Sequence, residues 1–398
     1  MDGFRKPLRV NRREFLTSST VGLTAGLLGS SAWPAEGHGA DSTGPSSNPG
    51  TSRVIIDTDP GTDDAFALLL AMRSPELKIE AIAAVAGNVP LELTLPNALR
   101  MVEIAGRTDI PVAAGAKTPL VRRLVTAEYA HGENGLCGAV FPEPKTKPVA
   151  EPADEVIRQI VRSHPGEITL ITLGPLTNVA RALLADPELA RMIKGIVMMG
   201  GSLSGGNITP AAEFNFYVDP EAAKLIFQSG IPLRMVGLDV TRKTELTWDH
   251  VRALEANPDA VSQAAGQIAR KTMELDEREG FVAGQKMHDS LALASCIDSS
   301  LLQLEKFYVD VETTGELTAG ETLGYSPYSG DLRRRPGRDK QAEGGLNMPI
   351  RGAAPSLARL TTSPVLREKW VPNADVAVGV DSQRFFQLFI GRLTGKKV

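Results

Sequence analysis

The sequence predicts an α/β fold: one large domain with an open, mostly parallel sheet and helices on both faces. Three observations predict it. Short apolar runs at residues 54–56, 79–85, 168–173, 195–199 and 233–237 alternate with longer stretches of good helix formers. Acidic and polar residues gather directly after these runs, where open α/β sheets place their sites. The composition, 42% hydrophobic and 23% charged over 398 residues with net charge −4, is that of an ordinary globular chain.

The same numbers exclude several classes. There is no basic excess, so nucleic acid is not an expected partner. No run reaches the roughly 20 apolar residues of a membrane span, so no stable membrane insertion is expected. Two cysteines, Cys137 and Cys296, are too few for a disulfide scaffold, match no metal-binding spacing and read as free thiols. Residues 1–35 read as an export signal rather than as fold. Asn11-Arg12-Arg13-Glu14-Phe15-Leu16 resembles a twin-arginine motif, preceded by Arg5, Lys6 and Arg9 and followed by a mild apolar region at 21–28. That route implies a periplasmic or extracytoplasmic destination. Residues 36–52, rich in Gly, Ser and Pro, read as a flexible linker.

The domain proper, 53–395, begins with its most informative stretch. Val54-Ile55-Ile56 is a buried strand, Pro60-Gly61 a turn, and 65–72 a helix of apolar residues. Between them stand Asp57, Asp59, Asp63 and Asp64, four carboxylates in eight residues. One such acid is an ordinary helix cap, and Asp63 and Asp64 fall in the first turn, where the helix dipole favours them. Four together repel unless a positive charge sits among them, and a hard divalent cation with oxygen ligands supplies it. Further along, residues 79–85 form a strand ending in Gly87-Asn88, 91–106 a helix stopped by Gly106, and 110–115 a short strand. The loop 117–138 carries His131, whose glycine neighbour suggests ligand contact.

Residues 154–163 read as a helix and 168–173 as a buried strand, after which Thr177 or Asn178 caps the next helix. The strand 195–199 leads into a glycine-rich loop without the spacing or lysine of a phosphate cradle. Residues 219–229 form a helix stopped by Gly230, 233–237 a strand, and 247–279 a helical region whose end, 271–280, is either a flap or a solvated face. A buried helix begins at His288-Asp289, and 306–311 is a further strand. The stretch 325–372, with Arg333-Arg334-Arg335-Pro336-Gly337-Arg338, reads as an inserted, partly irregular segment. The chain then returns to regular structure at 373–380 and 382–393.

The segment Asp57-Thr58-Asp59-Pro60-Gly61-Thr62-Asp63-Asp64 closely resembles the signature of the nucleoside hydrolase family, Asp-x-Asp-Pro-Gly-x-Asp-Asp. Gly87-Asn88, His131-Gly132, Gly174-Pro175-Leu176-Thr177-Asn178, Met199-Gly200-Gly201, Ala212-Glu213-Phe214-Asn215 and His288-Asp289 resemble later family motifs in the same order. The resemblance covers about residues 53–395 and loosens after Gly315. It implies a Rossmann-like sheet and hydrolysis of the N-glycosidic bond of ribonucleosides of the inosine-uridine preferring type. It implies Ca²⁺ held by Asp59, Asp64, Asp289 and the backbone carbonyl of Leu173. It also implies sugar contacts from Asp63, Asn88, Met199, Asn207, Glu213 and Asn215, with His131 near the substrate. In that scheme Asp59 takes a proton from a water on the cation, and His288 stands by the leaving base. Asp57 supports the loop from behind. Phe214, Tyr129, Trp248 and Phe281 are stacking candidates for the base. A homo-oligomer, dimer or tetramer, is expected by the same resemblance.

Two other functions remain open at this level. A non-catalytic periplasmic nucleoside or ribose receptor on the same fold has no need of Asp59. An Asp-dependent phosphatase would match Asp57-Thr58-Asp59, but it needs threonine where Gly61 stands.

Overall fold

The computed structural model describes residues 51–280, 284–325 and 371–396. The expected export signal, all but the end of the expected linker, Phe281 and nearly all of the expected insertion lie outside the described residues.

The strands are β1 (Ser52–Thr58), β2 (Leu77–Ala84), β3 (Val112–Ala114), β4 (Thr169–Thr172), β5 (Gly195–Met199), β6 (Leu233–Val236), β7 (Leu302–Val311), β8 (Thr322–Tyr325) and β9 (Ala374–Val380). They form one sheet in the order β3-β2-β1-β4-β5-β6-β9-β7-β8. The pairings from β3 through to β9 are parallel, whereas β7 runs antiparallel to both β9 and β8. The first six strands follow the doubly wound order 3-2-1-4-5-6, so the crevice of the sheet opens between β1 and β4. This is the open, mostly parallel sheet expected from the alternation of runs.

The helices that position the site are α1 (Thr62–Met72), α2 (Leu91–Ile104), α3 (Glu128–His131), α4 (Ala153–Ser163), α5 (Thr177–Ala185), α6 (Phe214–Val218), α7 (Pro220–Phe227), α8 (Leu238–Thr241), α9 (Trp248–Glu255), α10 (Ala260–Arg278), α11 (His288–Ile297) and α12 (Ser382–Leu393). Strand side chains alternate between two cores, which places helices on both faces. Val54 and Ile56 pack with Phe66, Leu291 and Phe389, while Ile55 packs on the other face with Ile157, Val179 and Phe216. Every residue of α1 is buried. That explains an apolar run with no polar stripe. Phe66 meets Phe389 edge-on at 6.1 Å, and Phe389 stacks on Phe385 at 5.8 Å. Each such ring contributes about 1.5–3 kcal/mol by leaving water.

One local expectation fails, and another, the helical region 247–279, is met by two helices rather than one. Neither Thr177 nor Asn178 caps α5, because both side chains serve long-range partners. Thr177 donates to Asp219 Oδ2 at 2.6 Å, and Asn178 bridges the Ala84 carbonyl and the Ala116 N–H. The region 247–279 is two helices, because Pro258 lacks an N–H and Asp259 starts α10 by accepting from the Val261 and Ser262 N–H groups. Residues 271–278 continue α10 as helix. Among the described residues no helix is long and apolar enough to cross a membrane.

Candidate active site

The site forms where the chain leaves the C-terminal ends of the strands. Asp59 follows β1, Asn88 follows β2, Leu173 follows β4 and Met199 ends β5. Asp59 and Leu173 therefore flank the crevice between β1 and β4. α1 and α11 both start here, which delivers Asp63 and Asp64 from one helix and His288 and Asp289 from the other.

Asp59, Asp63, Asp64 and Asp289 are all buried. Carboxylate oxygens of Asp63, Asp64 and Asp289 lie within 4.8 Å of one another. Asp64 is the best supported of the four. Its Oδ1 accepts from Thr58 Oγ1 (2.6 Å) and the Asp59 N–H (3.2 Å), and its Oδ2 from the Gly61 N–H (3.1 Å) and Asn88 Nδ2 (2.9 Å). Asp59 Oδ2 accepts from the Asn88 N–H at 2.7 Å, while its Oδ1 and Asp63 Oδ1 find no hydrogen-bond partner among the described residues. Glycine is required on both sides of Asp59. A Cβ at Gly87 would lie 2.0 Å from Asp59 Oδ2, and one at Gly174 would lie 2.4 Å from Asp59 Oδ1. The backbone is thus closed onto the carboxylate.

Burial and mutual repulsion govern the protonation of this cluster. Burial, then the charges of Asp64 and Asp63, hold the Asp59 carboxyl well above the usual carboxylate range. Asp289 is raised in the same way by burial and by its three acidic neighbours. Asp63 is pushed up to about 8 by burial and then by Asp64. Asp64 is raised by burial against the pull of its donors. Four hard-oxygen residues, two orphaned buried oxygens and this repulsion are what a divalent cation would relieve, so the donor set fits one. Asp59 falls outside the group of three whose oxygens meet, so its part in cation binding is a separate question from theirs.

Of the sugar-side residues expected from the sequence, Met199, Glu213 and Asn215 lie around the ends of β4 and β5, while Asp63 and Asn88 lie with the acids. Asn215 Nδ2 donates to the Leu173 carbonyl at 2.8 Å and to the Met199 carbonyl at 3.2 Å. Glu213 is buried and caps α6, accepting from the Asn215, Phe216 and Gly201 N–H groups, and burial pushes its carboxyl up to about 7. Asn207 is exposed on the glycine-rich loop and accepts the Phe214 N–H through Oδ1. His131, at the end of α3, takes the Thr62 N–H on Nδ1 at 3.2 Å and lies 3.9 Å from Asp63 Oδ1.

On the opposite side His288 Nδ1 lies 2.7 Å from Thr241 Oγ1. Burial, then Arg242, His131 and Lys286, push the His288 ring down to about 3, so it is neutral at ordinary pH. Asp57 is buried, and burial holds its carboxyl well above the usual range against a smaller opposing pull from the Asn178 side chain. Of the stacking candidates, Phe214 is buried against Ala127 and Val218, and Tyr129 is exposed. Trp248 is occupied elsewhere, its ring beneath Arg270 and its indole N–H on Glu277. Sequence reasoning missed Thr58, Thr62, Thr241 and Arg242. The first two stand inside the acidic motif and were readable as hydroxyl donors. The last two carry no local signal.

Residues 54–387 match the family described as "Inosine-uridine preferring nucleoside hydrolase". The chain is 45% identical over 272 residues to the pyrimidine-specific ribonucleoside hydrolase RihA of Citrobacter koseri, covering 68% of this chain and 87% of that protein. It matches the protein of the same name from Salmonella enteritidis at the same identity and coverage. Among solved structures it is similar to a plant nucleoside hydrolase, with a TM-score of 0.73 and 32% identity over 86% of this chain and 99% of that one. It is also similar to a purine-preferring ribonucleoside hydrolase of Gardnerella vaginalis, with a TM-score of 0.72 and 28% identity over 86% of this chain and 98% of that one.

Proposed function

The chain belongs to the inosine-uridine preferring nucleoside hydrolase family and is a ribonucleoside hydrolase; from that premise we propose that it cleaves pyrimidine ribonucleosides to free base and ribose, with Asp59 as the base that deprotonates water. The observation that carries this reading is the Asp59 carboxylate. It is buried, fixed by the Asn88 N–H on one oxygen, enclosed by Gly87 and Gly174, and its other oxygen has no hydrogen-bond partner among the described residues. A receptor has no use for such a group. The pyrimidine preference rests on the similarity to the RihA proteins, which are described as pyrimidine-specific.

We assign the cation as Ca²⁺, held by Asp63, Asp64 and Asp289 with Asp59 and the Leu173 carbonyl completing the set. When bound, such an ion supplies Lewis acidity and positions for oxygen ligands from water and a sugar diol. The chain's own residues do the rest. Asp59 accepts a proton as the water oxygen bonds to C1′ and the C1′–N bond breaks. Asn207, Glu213 and Asn215 fix the sugar hydroxyls, Asn88 holds Asp59 and Asp64 in register, and Met199 packs beside the sugar. Oriented reactants of this kind account for about 7–11 kcal/mol of barrier at best. His288, neutral and oriented by Thr241, hydrogen-bonds the departing base. His131 orders the start of α1 through Thr62 and borders the substrate.

Protein covering the domain is incubated with uridine and with inosine, with and without a chelator, and free base and ribose are assayed. Base release that the chelator abolishes and Ca²⁺ restores, faster for uridine, is the expected result. Nucleoside binding without release would replace the reading with a receptor, and release indifferent to the chelator would remove the cation from it. The export route and the homo-oligomer belong to the same proposal. Replacing Arg12-Arg13 by Lys-Lys is expected to retain the protein in the cytoplasm, and light scattering reads the dimer or tetramer.

A further inference from the structure

The charge of the site reverses from its floor to its rim. Asp59, Asp63, Asp64 and Asp289 line the floor. Above them, Arg242 follows Thr241 at the end of α8, directly beside the hydroxyl that meets His288. Its guanidinium Nη2 donates to the carbonyl of Gly206, the residue before Asn207. Arg242 thereby ties the end of α8, where Thr241 meets His288, to the glycine-rich loop that carries Asn207. Its charge depresses the His288 ring, and the carboxylates of Asp239 and then Glu213 act on it in return. Neither forms an ion pair with it. Lys286 is paired with Glu245, and Asp239 is engaged with the Leu203 N–H, whereas no carboxylate pairs with Arg242 among the described residues. Arg242 is exposed, yet the protein around it lowers its pKa against the upward pull of Asp239 and Glu213.

Resting on the ribonucleoside hydrolysis proposed above, we infer that Arg242 determines specificity for the leaving group: its guanidinium, held by the Gly206 carbonyl and in no ion pair among the described residues, stabilises a pyrimidine that departs as an anion. As the C1′–N1 bond breaks, its electron pair moves onto N1 and is shared with the O2 carbonyl of the ring. The water oxygen forms the new bond to C1′. The proton that water gives to Asp59 is returned through solvent to N1, so one water is added overall. An arginine cannot give up a proton, so it offers charge and N–H donors rather than acid catalysis. That favours a base leaving as an anion. It disfavours a purine, which leaves most readily when protonated on its imidazole ring and would then carry a positive charge beside the guanidinium. Fixed charge aimed at where charge develops acts on the transition state more than on the ground state.

The test compares R242Q and R242K with the wild type, each loaded with Ca²⁺, on uridine, inosine and p-nitrophenyl riboside, whose leaving group departs unaided. R242Q is expected to lower kcat on uridine by about 10- to 100-fold. That loss should exceed the loss on the nitrophenyl riboside by at least tenfold, and the uridine-to-inosine ratio should fall. R242K should recover part of the uridine rate. Equal losses on uridine and the nitrophenyl riboside would reduce Arg242 to a prop for the Gly206 loop and overturn the inference, as would wild-type rates in R242Q. Wild-type protein that releases base from neither nucleoside would overturn the hydrolase reading itself, an outcome read before any variant is compared.

Discussion

The floor and the rim of the site are built by opposite means. The floor is a set of buried acids on rigid supports: the end of β1, the first turns of α1 and α11, and backbone amides that lock Asp64 and Asp59 in place. The rim is cationic and more exposed, and is joined by a few long-range contacts: Thr241 to His288, Arg242 to Gly206, His131 to Thr62. In glycoside hydrolysis positive charge grows on the sugar and negative charge on the leaving group. On the proposed function the acids of the floor and Arg242 at the rim stand for these two halves of the reaction. On that reading the floor serves what is common to all ribonucleosides, and the rim what differs between bases. Changes to the floor should therefore act on every substrate alike, and changes to the rim selectively.

The largest expected effect lies at the floor. Asp59→Asn keeps the shape and the contact with the Asn88 N–H but cannot accept a proton. The rate of base release should fall by about 10³-fold, within the range for loss of a general base, on uridine and nitrophenyl riboside alike. In chelator the melting temperature should not fall, since burial already disfavours the Asp59 carboxylate. A variant within tenfold of wild type would take the base role from Asp59. Gly87→Ala tests how tightly the floor is closed. The added methyl would stand 2.0 Å from Asp59 Oδ2, so the carboxylate must move. A 1 Å misplacement of a reacting group costs on the order of 10²-fold in rate, with overpacking adding about 1–3 kcal/mol of instability. A fully active Gly87→Ala protein would show that Asp59 tolerates displacement, contrary to a pre-organised floor.

Cation binding sharpens the contrast through pH. A buried acid with a raised folded pKa favours the fold fully below its unfolded pKa, and this support is lost as pH rises through the folded value. For Asp63 that window runs from 3.8 to about 8, and Asp59, Asp64 and Asp289 act in the same direction. Without cation the protein should therefore lose stability as pH rises across this range. A cation that replaces the protons should restore it, by about 2.7 kcal/mol at one hundred times its dissociation constant. Thermal melts with Ca²⁺ and with chelator should diverge more at pH 8 than at pH 5. An equal shift at both would mean that the ion does not sit among these acids.

The two regions also differ in how far the sequence announces them. The floor was legible because Asp57 to Asp64 is one continuous stretch joining a strand to a helix, and because His288-Asp289 opens another helix at the same level. The alternation of strands and helices was legible for the same reason: each rests on local periodicity. Partnerships were not. Thr241 and His288 are 47 residues apart, and Arg242 and Gly206 are 36 apart, so no window of sequence contains either pair. Thr177 and Asn178 show the same limit within the fold. Both are good capping residues by type, yet tertiary partners claim their side chains. The insertion of β9 between β6 and β7 depends on pairing between residues far apart in the chain, such as Leu233 with Ala374, which composition and period do not encode.

The smallest expected effect tests the rim at its most economical contact. Thr241→Val removes a hydroxyl while keeping the shape of the buried side chain. What is lost is one hydrogen bond to His288 Nδ1, worth about 0.5–1.5 kcal/mol, or roughly two- to tenfold in rate. If the hydroxyl orients the ring for the leaving base, kcat on uridine should fall by that factor with KM little altered, because the ring matters most once the glycosidic bond is stretched. The nitrophenyl riboside should fall less, since its leaving group needs no partner. His288→Ala should produce the same pattern at greater depth, and the double variant should add little to it, because the hydroxyl acts only through the ring. Full additivity of the two changes would instead place Thr241 in contact with the substrate on its own account.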